Sequence, residues 1–280
     1  MGLDTNILIY GVLSLAGVGL ALGIILGIAS KVFAVEEDER IPILVAALPG
    51  ANCGGCGFAG CAAFANGLVK GAAKTNGCPV GGEPTAIKVA EILGVEAEIG
   101  NKMVAYVRCA GDCEKANRRY EYTGYKDCFA EAQMADGGSK TCTYGCLGSG
   151  TCVSVCGFDA IDIVNGVAVI NEDKCTSCGA CVSACPKSLI EIVPAKQHVR
   201  VACNSKDLGK VVNTACGVGC IACRICEKNC PHDAIHVNAN VAHVDYDKCT
   251  MCNVCFEKCP KNTIHSKTFT KAPKEAPKTA

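Results

Sequence analysis

Net charge is missing from this 280-residue chain, in which 27 Lys and Arg are balanced by 27 Asp and Glu. Such a balance offers no basic face for a phosphate backbone, so nucleic acid is not expected as a partner. No G-x-G-x-x-G run links a strand to a helix, which leaves no sign of a nucleotide or flavin site and no complete active site for NAD reduction. The pair Gly17 and Gly19 lies inside an apolar run and does not count. Charge is also lacking throughout residues 5–30, and no Lys or Arg precedes them. The basic start and shorter apolar segment of a cleaved signal peptide are therefore both absent. As a helix rising 1.5 Å per residue this run would extend roughly 39 Å, enough to cross a ~30 Å hydrocarbon core once with tilt. Lys31 and Arg40 follow it, so the positive-inside bias places the rest of the chain on the cytoplasmic side. Gly19, Gly23 and Gly27 recur every fourth residue and form a face that another membrane helix could approach closely.

What the chain has in excess is cysteine, 25 residues in all. In a short secreted protein that density would indicate a disulfide scaffold. Here the count is odd and the spacing is C-x2-C, which points to metal and to a reducing compartment. Cys220, Cys223, Cys226, Cys230 and Pro231, then Cys249, Cys252, Cys255, Cys259 and Pro260, are two C-x2-C-x2-C-x3-C-P runs. In this bacterial pattern three thiolates hold one 4Fe-4S cluster and the fourth crosses to its neighbour. The expected sets are Cys220, Cys223, Cys226 with Cys259, and Cys249, Cys252, Cys255 with Cys230.

A second copy lies upstream. Cys175, Cys178, Cys181, Cys185 and Pro186 repeat the run, and the interval from Cys156 to Cys175 equals that from Cys230 to Cys249. Equal register marks the two stretches as internal repeats. Val167 to Ile170 and Val241 to Val244 are β-prone stretches at matching positions, expected as small ferredoxin-type strands. Cys175, Cys178, Cys181 and Cys156 form one expected set. In the other, Ser149 stands where the downstream copy has Cys223, so a ligand must come from elsewhere. Cys142 is nearest, giving Cys142, Cys146, Cys152 and Cys185.

Another set is Cys53, Cys56, Cys61 and Cys78, among glycines 54, 55, 57 and 60 that let backbone wrap closely round an inorganic core. A zinc knuckle would accept four thiolates too. The glycine-dense loop and the neighbouring ferredoxin patterns favour iron and sulfide. Five cysteines remain: Cys109, Cys113, Cys128, Cys203 and Cys216. Cys109, Cys113 and Cys128 with Cys142 would make a sixth cluster, at the cost of leaving Cys146, Cys152 and Cys185 one ligand short. The alternative is that several pack as buried free thiols. The expected cofactors are thus at least five 4Fe-4S clusters and at most six.

The expected organisation is a single transmembrane helix followed by α+β iron-sulfur domains. An anchor at 1–30 and a juxtamembrane linker at 31–49 lead to a CGGC-type 4Fe-4S domain at 50–107, with a helix between Pro84 and Gly94. A cysteine-containing connector at 108–141 follows. Two tandem bacterial 2×4Fe-4S ferredoxin-like modules occupy 142–200 and 201–265, and a Lys, Pro and Ala tail expected to be disordered fills 266–280. Modules of ~55 to 60 residues have small cores, so cluster insertion is expected to be part of their folding.

The glycine-rich anchor, CGGCGFAGC with Cys78, TCTYGCLGSGTCVSVCGFDAI and the tandem modules together resemble the B subunits of the Rnf complex in their long, clostridial form. The resemblance covers nearly the whole chain. It implies a membrane-anchored electron-transfer subunit of an ion-translocating ferredoxin:NAD+ oxidoreductase, a translocase driving Na+ or H+ across the cell (inner) membrane. Reduced ferredoxin would be the electron donor and the other Rnf subunits the acceptors, with NAD+ reduced elsewhere. The rival readings are an iron-sulfur subunit of another membrane oxidoreductase and a zinc-binding structural protein.

Overall fold

The structure, a computed structural model, describes residues 5–32, 38–267 and 269. Most of the tail expected at 266–280 lies outside the described residues.

Helix α1, Thr5–Val32, is apolar around its circumference. Its stretch Ile9–Lys31 has a mean hydropathy of 2.4 and no part of it is buried within the protein. A helix apolar on all sides with nothing packed on it has found no protein core to enter, and its length matches a bilayer crossing. Nothing lies within 4 Å of the positions where Gly19, Gly23 and Gly27 would carry a side chain, so that face is open.

Residues 40–47, placed by sequence in the linker, form helix α2, Arg40–Ala47, and its Leu44 is completely buried. It packs on α3, Cys61–Val69, and α4, Gly82–Leu93. Leu44, Leu48, Phe64, Leu68 and Val89 form the shared core. The second half of the expected linker therefore belongs to the first cluster domain. Helix α4 ends as expected: Gly94 takes a left-handed φ of +69° and its N–H returns to Ala90 and Glu91 carbonyls, the geometry a glycine cap supplies without steric cost.

Strand β1, Met103–Val107, departs from the expected boundary at 107. Helix α5, Cys128–Ala132, and helix α6, Thr151–Ser154, follow it. Then come the hairpin β2, Ile161–Val164, with β3, Val167–Ile170, helix α7, Ala180–Ser183, and strand β4, Ile190–Pro194. Strand β1 pairs antiparallel with β4 from Met103 opposite Pro194 to Val107 opposite Ile190, so it closes the first ferredoxin module rather than the domain before it. The hairpin turns through Asn165 and Gly166, with φ of +49° and +76°. Two positive φ values in a two-residue loop match the right-handed twist of the strands.

The second module repeats this plan. Strand β5, Arg200–Val201, precedes α8, Gly209–Ala215, and α9, Ile225–Lys228. The hairpin β6, Ile235–Asn238, with β7, Val241–Val244, leads to α10, Val254–Lys258, and β8, Ile264–His265. Strands β5 and β8 pair antiparallel, as β1 and β4 do upstream. Both β-prone stretches read from the sequence are strands with the expected limits.

Candidate iron-sulfur cluster sites

Four of the ligand loops share one backbone device. In each, the third cysteine is the second residue of a short helix: Cys152 in α6, Cys181 in α7, Cys226 in α9 and Cys255 in α10. The residue before each helix is left-handed, at Gly150, Gly179, Arg224 and Asn253. A second left-handed residue stands before the middle cysteine, at Ser177, Ala222 and Met251, and Gly148 repeats it before Ser149. This winding turns backbone N–H groups toward sulfur. The Ala222 amide donates to Cys220 and the Met251 amide to Cys249. Donors of this kind orient and stabilise thiolates that bind metal.

The thiols converge. Cys220, Cys223, Cys226 and Cys259 line one cavity of 370 Å3, and Cys230, Cys249, Cys252 and Cys255 line another of 340 Å3. Cys53, Cys56, Cys61 and Cys78 line a third of 320 Å3, where the Gly81 amide donates to Cys78 Sγ at 3.4 Å. Asn52 braces this loop by accepting from the Cys61 amide at 2.8 Å. Cys175, Cys178 and Cys156 surround Cys181 closely enough to act on its charge. Each of these groupings has the membership read from the sequence.

The remaining upstream set differs. The cavity holding Cys146, Cys152 and Cys185, 360 Å3 in volume, is completed by Cys128 and not by Cys142. The reason lies in helix α5. Asp127 caps it by accepting from the amides of Phe129 and Ala130, and also accepts from Thr151 Oγ1 at 2.9 Å. Thr151 in turn accepts from the Cys128 amide at 2.7 Å, which fixes Cys128 beside the helix that carries Cys152. The same α5 carries Glu131, 2% exposed, which accepts from the Ser139 hydroxyl at 2.6 Å and from the Ser149 hydroxyl. One helix thus delivers a thiol and occupies the serine that stands where a thiol is missing.

Cys142 lies instead with Cys109, Cys203 and Cys216 around a fifth cavity of 390 Å3. The sixth set considered from sequence, Cys109, Cys113 and Cys128, is not brought together. Cys113 is exposed beside Arg118, whose Nη2 lies 3.0 Å from its sulfur. Sequence reasoning left Cys203 and Cys216 as spare thiols. Cysteine arithmetic was the available signal, since 25 is six sets of four and one over.

Burial raises the thiol pKa values first, and neighbouring sulfurs add to this at most of these sites. Cys152 and Cys255 are pushed up to about 12, and Cys181, Cys203 and Cys226 to about 11. Binding metal must therefore displace protons from these groups. Among the described residues, no group of His, Cys, Asp or Glu closes tightly enough for a single ion. Sets of four thiols with backbone amide donors to sulfur fit a cube of iron and sulfide.

Known proteins with similar sequences agree with this chemistry. Residues 48–80 match the family described as "Putative Fe-S cluster", and residues 168–191 and 242–265 match the 4Fe-4S binding domain. The chain is similar to the B subunit of the Na(+)-translocating ferredoxin:NAD(+) oxidoreductase complex of Acetobacterium woodii, with 53% identity over 82% of this chain and 69% of that protein. It is 46% identical to the B subunit of the ion-translocating oxidoreductase complex of Methanosarcina acetivorans, over 88% of this chain and 93% of that protein. The B subunit of the proton-translocating ferredoxin:NAD(+) oxidoreductase complex of Clostridium ljungdahlii is 44% identical over 88% of this chain and 87% of its own length.

Proposed function

Because this chain belongs to the B subunits of Rnf-type ion-translocating oxidoreductase complexes, iron-sulfur proteins of electron transport, we propose that it takes electrons from reduced ferredoxin and relays them to the other subunits. The observation that carries this reading is the succession of cavities each lined by four cysteines, from the Cys53 set, the first after α1 in sequence, to the Cys252 set in the last module. When loaded, each 4Fe-4S cluster supplies reversible uptake of one electron. The chain's own residues supply the rest. Thiols fix each cage, amides donate to sulfur, and apolar neighbours restrict water. No side chain need act as acid or base.

Five sets hold the clusters: Cys53, Cys56, Cys61 and Cys78; Cys128, Cys146, Cys152 and Cys185; Cys156, Cys175, Cys178 and Cys181; Cys220, Cys223, Cys226 and Cys259; Cys230, Cys249, Cys252 and Cys255. The second module, where Cys223 and Cys252 are exposed and which lies farthest from α1 in sequence, is where ferredoxin docks, while Cys53, also exposed, faces the next subunit. Helix α1 anchors the chain by a single pass, with Lys31 and Arg40 holding the iron-sulfur domains on the cytoplasmic face. The first cluster domain follows the anchor directly, so it is the exit.

The test is Cys56→Ala in the intact membrane complex. Ferredoxin should still reduce the clusters of the two modules, while NAD+ reduction stops. Unchanged NAD+ reduction would overturn the route. The rival of a different membrane oxidoreductase lacks support from any of the three relatives, and the zinc reading conflicts with the two 4Fe-4S matches.

A further inference from the structure

We infer that Cys109, Cys142, Cys203 and Cys216 hold a sixth 4Fe-4S cluster, which joins the two ferredoxin modules electrically and mechanically. This rests on the relay proposed above.

The four thiols come from four separate places. Cys109 follows β1, Cys142 and Cys203 lie in loops, and Cys216 ends α8. Backbone bonds draw these segments together: the Ala110 amide donates to the Ala202 carbonyl at 3.1 Å, Asn117 to Ala215 at 2.9 Å and Gly217 to Lys115 at 2.7 Å. All four thiols line one shared cavity, as the thiols of four other sets do. Gly111 lies against it so closely that an added Cβ would sit 3.2 Å from Cys216 Sγ and 3.8 Å from Cys109 Sγ. This is the close backbone approach seen in glycine-lined cluster loops.

A separate observation concerns charge. Lys140 lines the cavity and is 1% exposed. Its ammonium donates to the carbonyls of Gly111 at 2.7 Å and Gly166 at 3.2 Å, and among the described residues no carboxylate lies within ion-pair distance. Arg108, also buried, lines the same cavity, donates to the Cys203 carbonyl at 3.3 Å and pairs with Glu191 at 3.6 Å, so Lys140 is the cation left over. A buried cation without a counter-ion is costly. A cube held by four thiolates is anionic, and its presence would supply that counter-ion.

The position explains the purpose. Cys109 Sγ accepts from the amide of Cys146, which belongs to a cage of the first module, at 3.4 Å. Cys203 accepts from the amide of Cys220, which belongs to a cage of the second. The cage therefore touches one ligand residue on each side. The step it adds is one electron leaving a reduced cluster and entering this oxidised one, with reduced ferredoxin as the source and no bond or proton transferred.

The experiment begins with the full-length chain, loaded anaerobically with iron and sulfide and kept in detergent. Six clusters give about 24 iron and about 24 labile sulfide per chain, whereas about 20 of each overturns the inference and leaves the five-cluster reading intact. No iron at all would sink that reading itself, and zinc at this cage would overturn the inference alone. Next, Cys203→Ser with Cys216→Ser should lose about four iron while the other paramagnetic signals persist; an unchanged count overturns the assignment. Should that variant fail to fold, Lys140→Met tests the cage without touching a thiol. The iron count should hold and a centre should shift to lower potential, because a cation favouring the added electron is gone. Unshifted potentials throughout would overturn it.

Discussion

Gly55 lies directly against Cys178. A Cβ at Gly55 would stand 2.8 Å from the Cys178 carbonyl oxygen and 3.1 Å from its Cα. The CGGC loop is thereby seated on a ligand loop of the first module, and the missing side chain sets how closely they meet.

Gly55→Ala is expected to push the two loops apart, at a cost of about 1–3 kcal/mol from overpacking. Iron content should stay at the wild-type value. The magnetic coupling between the Cys53 and Cys175 centres, read in the fully reduced protein, should weaken. Coupling that survives unaltered would mean that the loops do not depend on this contact.

Cys128→Ala should remove or degrade one cluster of the first module, with loss of up to about four iron. Cys113→Ser should leave iron content and every signal unchanged, because its thiol is in none of the cavities. Parallel iron and sulfide assays on the two variants make the comparison.

Glu131→Ala should destabilise the first module by about 1.5–3 kcal/mol, since a buried carboxylate that accepts from the Ser139 and Ser149 hydroxyls is lost. Urea midpoints followed by the visible cluster absorption would measure this. A midpoint matching wild type would show that α5 is held without it.

Glu172, just past β3, bonds Arg200 at 2.7 Å across the module junction and also meets Lys267. Burial pushes its carboxyl upward, but Lys267 and Arg200 outweigh this and leave its pKa below the usual value. A lowered carboxylate pKa contributes stability that is complete above the unfolded value and is lost as pH falls through the folded one. Glu172→Gln should therefore cost about 1–3 kcal/mol at pH 7. The same gap should persist at about pH 5.5, still above the carboxylate range. A gap that closes between those two pH values would assign the effect to another group.

What could be read from residues alone followed the local constraints. C-x2-C-x2-C-x3-C-P is a short-range geometric demand, and the thiols of the three sets it defines lie together, as do those of the glycine-rich Cys53 loop; Pro84 with Gly94 framed a real helix. Cys142 was misplaced because proximity in sequence stood in for proximity in space. Cys128 reaches its cavity through the Asp127 and Thr151 bonds around α5, which no periodicity announces. Strand β1 was assigned to the wrong side of a boundary for the same reason: its partner Ile190–Pro194 lies beyond the entire cysteine-rich stretch.

That β1–β4 pairing has a consequence for biogenesis. The ribosome releases Met103–Val107 long before Ile190–Pro194, and pairing across such a separation is slow and exposes an unpaired strand meanwhile. Helices α2 to α4, complete in themselves, can fold on emergence, but the first ferredoxin module stays open until β4 arrives. Assembly machinery delivering inorganic cargo thus has a window in which Cys128 and Cys146, with Cys152 and Cys185, are accessible before the last strand closes over them.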